Sequence, residues 1–311
     1  MSSASARLVE RAFRHEAVFY DGLDELVDSV ASFVRDGLQA GEPVLVAELP
    51  EQLRALQAEL GSDADRVAYL DMAEVGKNPA CIIPVWREFV EHHRGKAVRG
   101  VGEPAWTGRR RVELEECQLH EALLNVAFDG DAEFRLLCPY DVRRLPENVV
   151  TGAMRTHPEV GPDRRRASYG GHEHAVDVFS RPLPPPPADL VEHRFGAGDL
   201  ASLRRDVRGL GARVIASQDV LDDLVLAVHE LAANSVEHGG GGGVLRAWTQ
   251  PDGLVLEVSD HGVIDDPLIG REPAMAVSES GRGVWMANHL CDLVQVRSSA
   301  EGTTVRLHSW L

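Results

Sequence analysis

The stretch LDDLVLAVHELAANSVEHG, residues 221–239, decides how the second half of this chain folds. Leu221, Leu224, Val225, Val228, Leu231, Ala232 and Ser235 recur at helical spacing and make one core-facing stripe. Glu230 and Asn234 are four residues apart, so they stack one turn above the other on a different face. His238 and Gly239 close the helix. An amide oxygen is a hard ligand suited to Mg²⁺. A carboxylate one turn away can accept a proton from a hydroxyl or water near the same metal. Taken alone, a Glu and an Asn so placed on a helix read as an ordinary solvated face.

Three further segments follow in order. Leu254–Ser259 has the pattern of a strand and runs into Asp260-His-Gly262, where an aspartate at a strand end can face a buried amino group while the chain turns. Ser280-Gly-Arg-Gly-Val284 opens an amphipathic helix over Val284–Cys291, a place where backbone N–H groups and the positive helix end face phosphate oxygens. Gly302-Thr-Thr304 opens a last strand, where a hydroxyl can support the same aspartate. A helix over Leu200–Ala216 precedes these segments. Val244–Thr249 pairs with Leu254–Ser259 across the turn Gln250-Pro-Asp-Gly253, and Leu293–Ser298 precedes Thr303–His308. Helices followed by hairpin-connected strands imply an α+β two-layer sandwich.

This order of motifs resembles the GHKL superfamily of ATP-binding domains, and most closely the RsbW-like anti-sigma-factor serine/threonine kinases. ELAANSVEHG is similar to the N box, Asp260 and Gly262 to the G1 box, SGRGVWMANHLCD to the G2 box, and Gly302–Thr303 to the terminal threonine motif. The resemblance implies a GHKL (Bergerat) fold and ATP and Mg²⁺ as cofactors. It implies Glu230 as general base and Asn234 as Mg²⁺ ligand. Asp260 with Gly262 would bind adenine, Gly281 and Gly283 would hold phosphates, and Thr303 would back up Asp260. Arg282 could supply the cation that no lysine can, or be a solvent-exposed arginine; the chain has no lysine after Lys96. One position departs: the second glycine of the D-x-G-x-G pattern is Ile264.

The first half alternates strand-like runs (Ala17–Tyr20, Pro43–Ala47, Arg66–Leu70, Phe134–Cys138) with helix-like ones (Asp24–Leu38, Glu51–Leu60, Pro84–His93, Glu113–Phe128). A turn is expected at Pro139–Asp141. The alternation implies an α/β domain with a mainly parallel sheet. His15–Tyr20 with Asp21–Gly22, Gly102-Glu-Pro-Ala-Trp106, Glu121–Asn125, Leu137-Cys-Pro-Tyr-Asp141 and His157–Pro158 resemble the MEDS sensory domain. Gly76–Lys77 is followed by Asn78, so there is no phosphate-binding P-loop. His15, Tyr20, Glu103, Trp106, Cys138, Tyr140, Asp141 and His157 fall at or near the expected strand ends, where ligands collect in open α/β sheets. They are the candidate lining of a sensory pocket for a small-molecule signal. The competing reading makes Trp106 and Tyr140 core residues with a satisfied polar tip.

The expected domains are thus 10–160, MEDS-like; 161–195, a linker stiffened by Pro184–Pro187; and 196–311, GHKL-like. A net charge of −17 argues against direct nucleic-acid binding, and the one dense basic cluster, Arg164–Arg166, falls in the linker. No apolar run reaches membrane-spanning length and MSSASARLVERAFRHE lacks a signal-peptide core, so a cytoplasmic protein without membrane contact is expected. Four scattered cysteines (Cys81, Cys117, Cys138, Cys291) without a CxxC pair suggest neither a zinc site nor a disulfide framework, only buried, reduced thiols.

The resemblance implies an anti-sigma factor that binds a sigma factor and phosphorylates a STAS-type anti-sigma-factor antagonist, with a homodimer as the family's usual state. Two alternatives stand beside it. Ile264 motivates a GHKL-shaped regulator without phosphoryl transfer. A sensor histidine kinase would need an accessible histidine on a helical hairpin before the ATP domain, whereas 200–216 contains none.

Overall fold

The computed structural model describes residues 13–130, 133–161, 169–272 and 281–311, and the chain divides into two compact units at 175/176. Ser280 and the Arg164–Arg166 cluster lie outside the described residues.

The first unit runs β1 (Arg14–Tyr20), α1 (Leu23–Ala40), β2 (Val44–Glu48), α2 (Pro50–Leu60), β3 (Ala68–Asp71), α3 (Met72–Val75), α4 (Ile82–His92), β4 (Val98–Gly102), α5 (Arg111–Ala127), β5 (Phe134–Asp141), α6 (Glu147–Thr156) and β6 (Glu159–Val160). The strands order as β3-β2-β4-β5-β1-β6, and every pair is parallel. Such a sheet buries both faces. On one face, Val30, Val34 and Leu38 of α1 and Leu56 and Leu60 of α2 pack with Val44, Val46, Val101 and Leu137. On the other, Trp86 of α4 occupies the room left by Gly100 and Gly102; a β-carbon on Gly102 would fall 2.8 Å from its ring. Helix α1 ends at Gly41 in a left-handed conformation, where the Glu42 N–H donates to Gly37 O, a Schellman-type stop.

The short α3, α6 and β6 were not read from the sequence, and two further differences concern central strands. β4, VRGVG, went unrecognised because its glycines break the apolar run, yet those glycines admit Trp86. The expected turn at Pro139–Asp141 is strand: β5 continues to Asp141, with Pro139 opposite Val18.

The second unit begins within α7 (Gly171–Ser180) and continues with β7 (Val191–Gly196), α8 (Leu200–Gly211), α9 (Gln218–His238), β8 (Gly242–Gln250), β9 (Gly253–Asp260), α10 (Arg282–Leu290), β10 (Leu293–Ser299) and β11 (Gly302–Trp310). The stretch read as a linker therefore contains a helix and a strand. β7 pairs antiparallel with β8, and the Pro184 carbonyl accepts from Arg306 at 2.8 Å. The sheet is antiparallel in the order β10-β11-β9-β8-β7. The turn expected at 250–253 is the β8–β9 hairpin.

α9 is capped by Ser217, whose hydroxyl accepts from the Val220 N–H, and it buries the apolar stripe read from its sequence. Leu245, Ala247, Leu256, Val258, Val305 and Leu307 alternate inward along their strands and are buried. The alternate residues form a charge row across five strands: Glu192 opposite Arg246, Arg246 opposite Glu257, Glu257 opposite Arg306, Arg306 opposite Gln295. Directly opposed, opposite charges stabilise a sheet.

Candidate functional site

In the second unit, a cavity of about 490 Å³ lies between α9, the N-terminal end of α10 and the strand ends carrying Asp260 and Thr303. Asn234, Asp260, Gly262, Gly281 and Thr303 all border it. So does Ile264. Glu230 sits one turn below Asn234, half-buried and outside the lining, and Arg282 is exposed. The volume is within the range of about 300–1,000 Å³ typical of small-molecule sites.

Asp260 is oriented by two donors: Ser235 Oγ donates to Oδ2 at 2.6 Å, and the Gly262 N–H donates to Oδ1 at 2.8 Å. The hydroxyl on the aspartate is therefore that of Ser235, not of Thr303 as expected. Thr303 is opposite Asp260 in the β-ladder, but its hydroxyl donates to Gly262 O at 2.8 Å. It also shares a hydrogen bond with Ser298 Oγ at 2.9 Å, which accepts the Ile264 N–H at 2.8 Å. Thr303 thus braces the turn after Asp260 rather than its carboxylate. Ser235 read only as a core position from its helical spacing; the small hydroxyl amid a stripe of Leu, Val and Ala was the available signal.

Close backbone approach explains two glycines. A β-carbon on Gly239 would lie 2.4 Å from Asp260 Cγ and 2.6 Å from Ser235 O, so the end of α9 can meet the aspartate only without one. A β-carbon on Gly283 would lie 2.7 Å from Asn234 Nδ2 and 3.3 Å from Glu230 Cβ. The first turn of α10 therefore rests directly on the two residues singled out on α9. Gly281, at φ 88°, turns the chain into α10.

In the first unit, seven of the eight candidate residues separate into two clusters, and Trp106 stands apart from both. Tyr20, Glu103 and Asp141 are at the carboxyl ends of β1, β4 and β5, together with Glu48 of β2. The Tyr20 hydroxyl lies 2.9 and 3.1 Å from the two Glu103 carboxylate oxygens. His15, Cys138 and His157 gather instead around Glu121 of α5, on the sheet face covered by that helix. His15 is opposite Leu136 and Cys138 opposite Ala17, so neither is at a strand's carboxyl end. Tyr140 meets His157 edge-on, with ring centroids 5.6 Å apart. Trp106 carries the Arg109 guanidinium over its ring at 3.5 Å.

Burial pushes the Glu103 carboxyl up to about 8, the hydrogen bond from Tyr20 opposing the rise. Burial and the nearby Glu103 push Glu48 well above the ordinary carboxylate range. The folded chain thus keeps a proton on Glu103 that the unfolded chain loses at ordinary carboxylate pH. This contribution to stability is fully present below the unfolded value and is lost as pH rises toward about 8. Glu103→Gln, which mimics the protonated acid, is expected to flatten that fall by up to about 1.4 kcal/mol per pH unit. Hydrogen exchange of the β1, β4 and β5 amides across this window, corrected for the pH dependence of intrinsic exchange, measures it in this unit alone; an unchanged slope would sink the assignment.

Helices on one face of an antiparallel sheet, with the cavity between α9 and α10, define a GHKL-type architecture in the second unit. Residues 196–309 match the family model of the histidine kinase-like ATPase domain. Residues 14–158 match that of the MEDS domain, the MEthanogen/methylotroph, DcmR Sensory domain. The chain joins a MEDS domain to a histidine kinase-like ATPase domain.

The serine-protein kinase RsbW of Halalkalibacterium halodurans is 27% identical over 110 residues, covering 32% of this chain and 68% of that protein. A crystal structure of the RsbU and RsbW domains of a Mycobacterium tuberculosis protein aligns at 23% identity with a TM-score of 0.31. That alignment covers 40% of this chain and 33% of the other, so this chain spans about a third of that structure's length. Among the described residues no helix is long and apolar enough to cross a membrane.

Proposed function

We propose that the second unit binds Mg-ATP in the α9–α10 cavity and transfers the γ-phosphoryl group to a serine or threonine of a protein partner. The observation that carries this reading is the convergence on one cavity of Asn234, Asp260, Gly262, Gly281 and Thr303, from separate elements. Asp260, its two oxygens already oriented by Ser235 and Gly262, would accept the adenine amino group. Asn234 would hold Mg²⁺, whose charge offsets that of the phosphates, and Gly281 and Gly283 would line the phosphate path. Glu230 would take the proton from the attacking hydroxyl. Similarity to a serine-protein kinase supports the choice of acceptor. On the same grounds the partners are a sigma factor and a STAS-type antagonist, the protein acts in the cytoplasm as a dimer, and the MEDS unit supplies the input signal.

Glu230→Ala is expected to retain Mg-ATP binding and to lose phosphate transfer by at least about a hundredfold, the usual contribution of a positioned general base. Radiolabel transfer to a candidate antagonist, with calorimetry as the binding control, measures both. Labelling at the wild-type rate would remove Glu230 from the reaction.

Ile264 supports a second reading, a partner-binding regulator without transfer, because its side chain borders the cavity where the family pattern has glycine. Calorimetry of the wild-type chain separates the two: no heat at millimolar Mg-ATP favours the regulator. Autophosphorylation on histidine is disfavoured because His193 lies on β7, opposite Leu245, rather than on a helical hairpin.

A further inference from the structure

Four side chains distant in sequence converge at full burial inside the first unit. His15 Nε2 is 2.9 Å from Glu121 Oε2 and 3.3 Å from Cys138 Sγ, and His157 Nε2 is 3.3 Å from the same Glu121 oxygen. One ligand atom from each residue fits within a 4.8 Å span. All four residues are at most 1% exposed.

The surroundings assign the protons. Asn125 donates through Nδ2 to the carbonyls of Glu121 and Thr156, so its Oδ1 is the atom that faces His15. That oxygen accepts, and His15 Nδ1, 3.2 Å away, must be the donor. His157 Nδ1 is 2.8 Å from the Ala153 carbonyl, which can only accept, so it too carries hydrogen. Each neutral ring then presents an Nε2 lone pair inward. Both lone pairs point at a carboxylate, which also only accepts. A proton on one ring relieves one of these contacts and leaves the other, and the Cys138 thiol, 3.3 Å from His15 Nε2, can donate to His15 but leaves His157 Nε2 facing the carboxylate. Among the described residues, His157 Nε2 and Glu121 Oε1 are buried without a hydrogen-bond partner. Convergent acceptors in a dry interior call for a cation.

We propose that His15, Glu121, Cys138 and His157 are the ligands of a buried, tetrahedral divalent cation of the zinc class. Bonds of about 2.0–2.3 Å to nitrogen, oxygen and sulfur place tetrahedral ligand atoms about 3.3–3.7 Å apart. His15–Cys138 and His157–Glu121 are at 3.3 Å, His15–Glu121 is shorter at 2.9 Å, and the whole set lies within 4.8 Å. Two imidazoles, one carboxylate and one thiolate neutralise a dication, so the filled site carries no net charge into the core. Binding deprotonates the thiol, and that proton leaves to solvent. Nδ1 of each histidine is held by a carbonyl oxygen, the second contact that orients metal-binding imidazoles and fixes the tautomer. The ligands come from β1, α5, β5 and the residue after α6, so the ion would tie four elements of the unit together.

The test uses the full chain and the metal alone, with neither nucleotide nor partner, so its outcome is independent of the ATP reading. Chain produced in zinc-supplemented medium is expected to retain about one equivalent of zinc through dialysis against a chelator, the stoichiometry of a closed structural site. Chain produced with cobalt is expected to show tetrahedral d–d bands and a thiolate-to-cobalt charge-transfer band. Cys138→Ser should lose the charge-transfer band, whereas Cys117→Ser should keep it. His157→Gln should bind zinc at least about tenfold more weakly. A folded wild-type chain without metal overturns the assignment, as does a charge-transfer band that survives Cys138→Ser. Should a variant fail to fold, the wild-type cobalt spectrum decides: no thiolate band in it also overturns the site.

Discussion

Replacing Glu257 by alanine is expected to destabilise the second unit by about 3–5 kcal/mol, the cost of breaking a buried ion pair from one side. Glu257 is 3% exposed and lies between two arginines on neighbouring strands. Arg306 donates to Oε2 through Nε at 2.9 Å and Nη2 at 2.5 Å, and Arg246 Nη1 donates to Oε1 at 3.1 Å. Removing the carboxylate leaves Arg306 buried with the Pro184 carbonyl and the Trp248 ring as its remaining partners. Arg246 suffers less, because it is partly exposed and keeps Glu192 at 3.0 Å. Two units make a single global unfolding curve ambiguous. Hydrogen exchange of the β8, β9 and β11 amides is therefore the suitable measurement. Protection should fall across these strands while β1, β4 and β5 of the first unit keep theirs. Unchanged protection would show that the row adds nothing beyond the surrounding packing. Exchanging both Glu257 and Arg306 for leucine should recover much of the loss, since no charge is then left buried alone.

The second large effect is expected at Asp260. Asp260→Asn preserves the size of the side chain but leaves one acceptor oxygen where there were two. Both carboxylate oxygens are engaged, by the Ser235 hydroxyl and the Gly262 N–H, so the amide NH₂ must face one of these donors or the cavity. An NH₂ facing the cavity opposes a ligand amino group, and one facing the Gly262 N–H sets donor against donor. A hydrogen bond to a charged acceptor is worth about 1.5–3 kcal/mol, so Mg-ATP affinity should fall roughly tenfold to more than a hundredfold. Calorimetry with a non-hydrolysable analogue measures this, and circular dichroism confirms that the unit remains folded. Equal affinity in wild type and variant would mean that the cavity does not hold adenine at Asp260.

Much of the second unit was legible in its amino-acid order. The 3.6-residue period of 221–235 and the two-residue period of 244–249, 254–259 and 303–308 each appear as the expected helix or strand. Periodicity survives because each element buries one face. Where glycine or proline interrupts the period, as in VRGVG and at Pro139, the reading stopped although the strand did not. Parallel neighbours supply hydrogen bonds and packing there that a single segment does not display. The stretch 161–195 read as linker for a similar reason: β7 is exposed along much of its length and is strand because β8 lies beside it.

By itself the chain's order determined the helices and strands whose period is unbroken, and it put Glu230 and Asn234 one turn apart, because those relations span a few residues and follow from local geometry. Tertiary structure decided the rest. Ser235 meets Asp260 across twenty-five positions of sequence, and His15 meets Glu121 and Cys138 across more than a hundred. The row from Glu192 to Gln295 exists only once four strand registers are set. Such contacts depend on which strands become neighbours and how they align. The energy that selects this arrangement comes from burying apolar surface over the whole unit, and no local pattern records it.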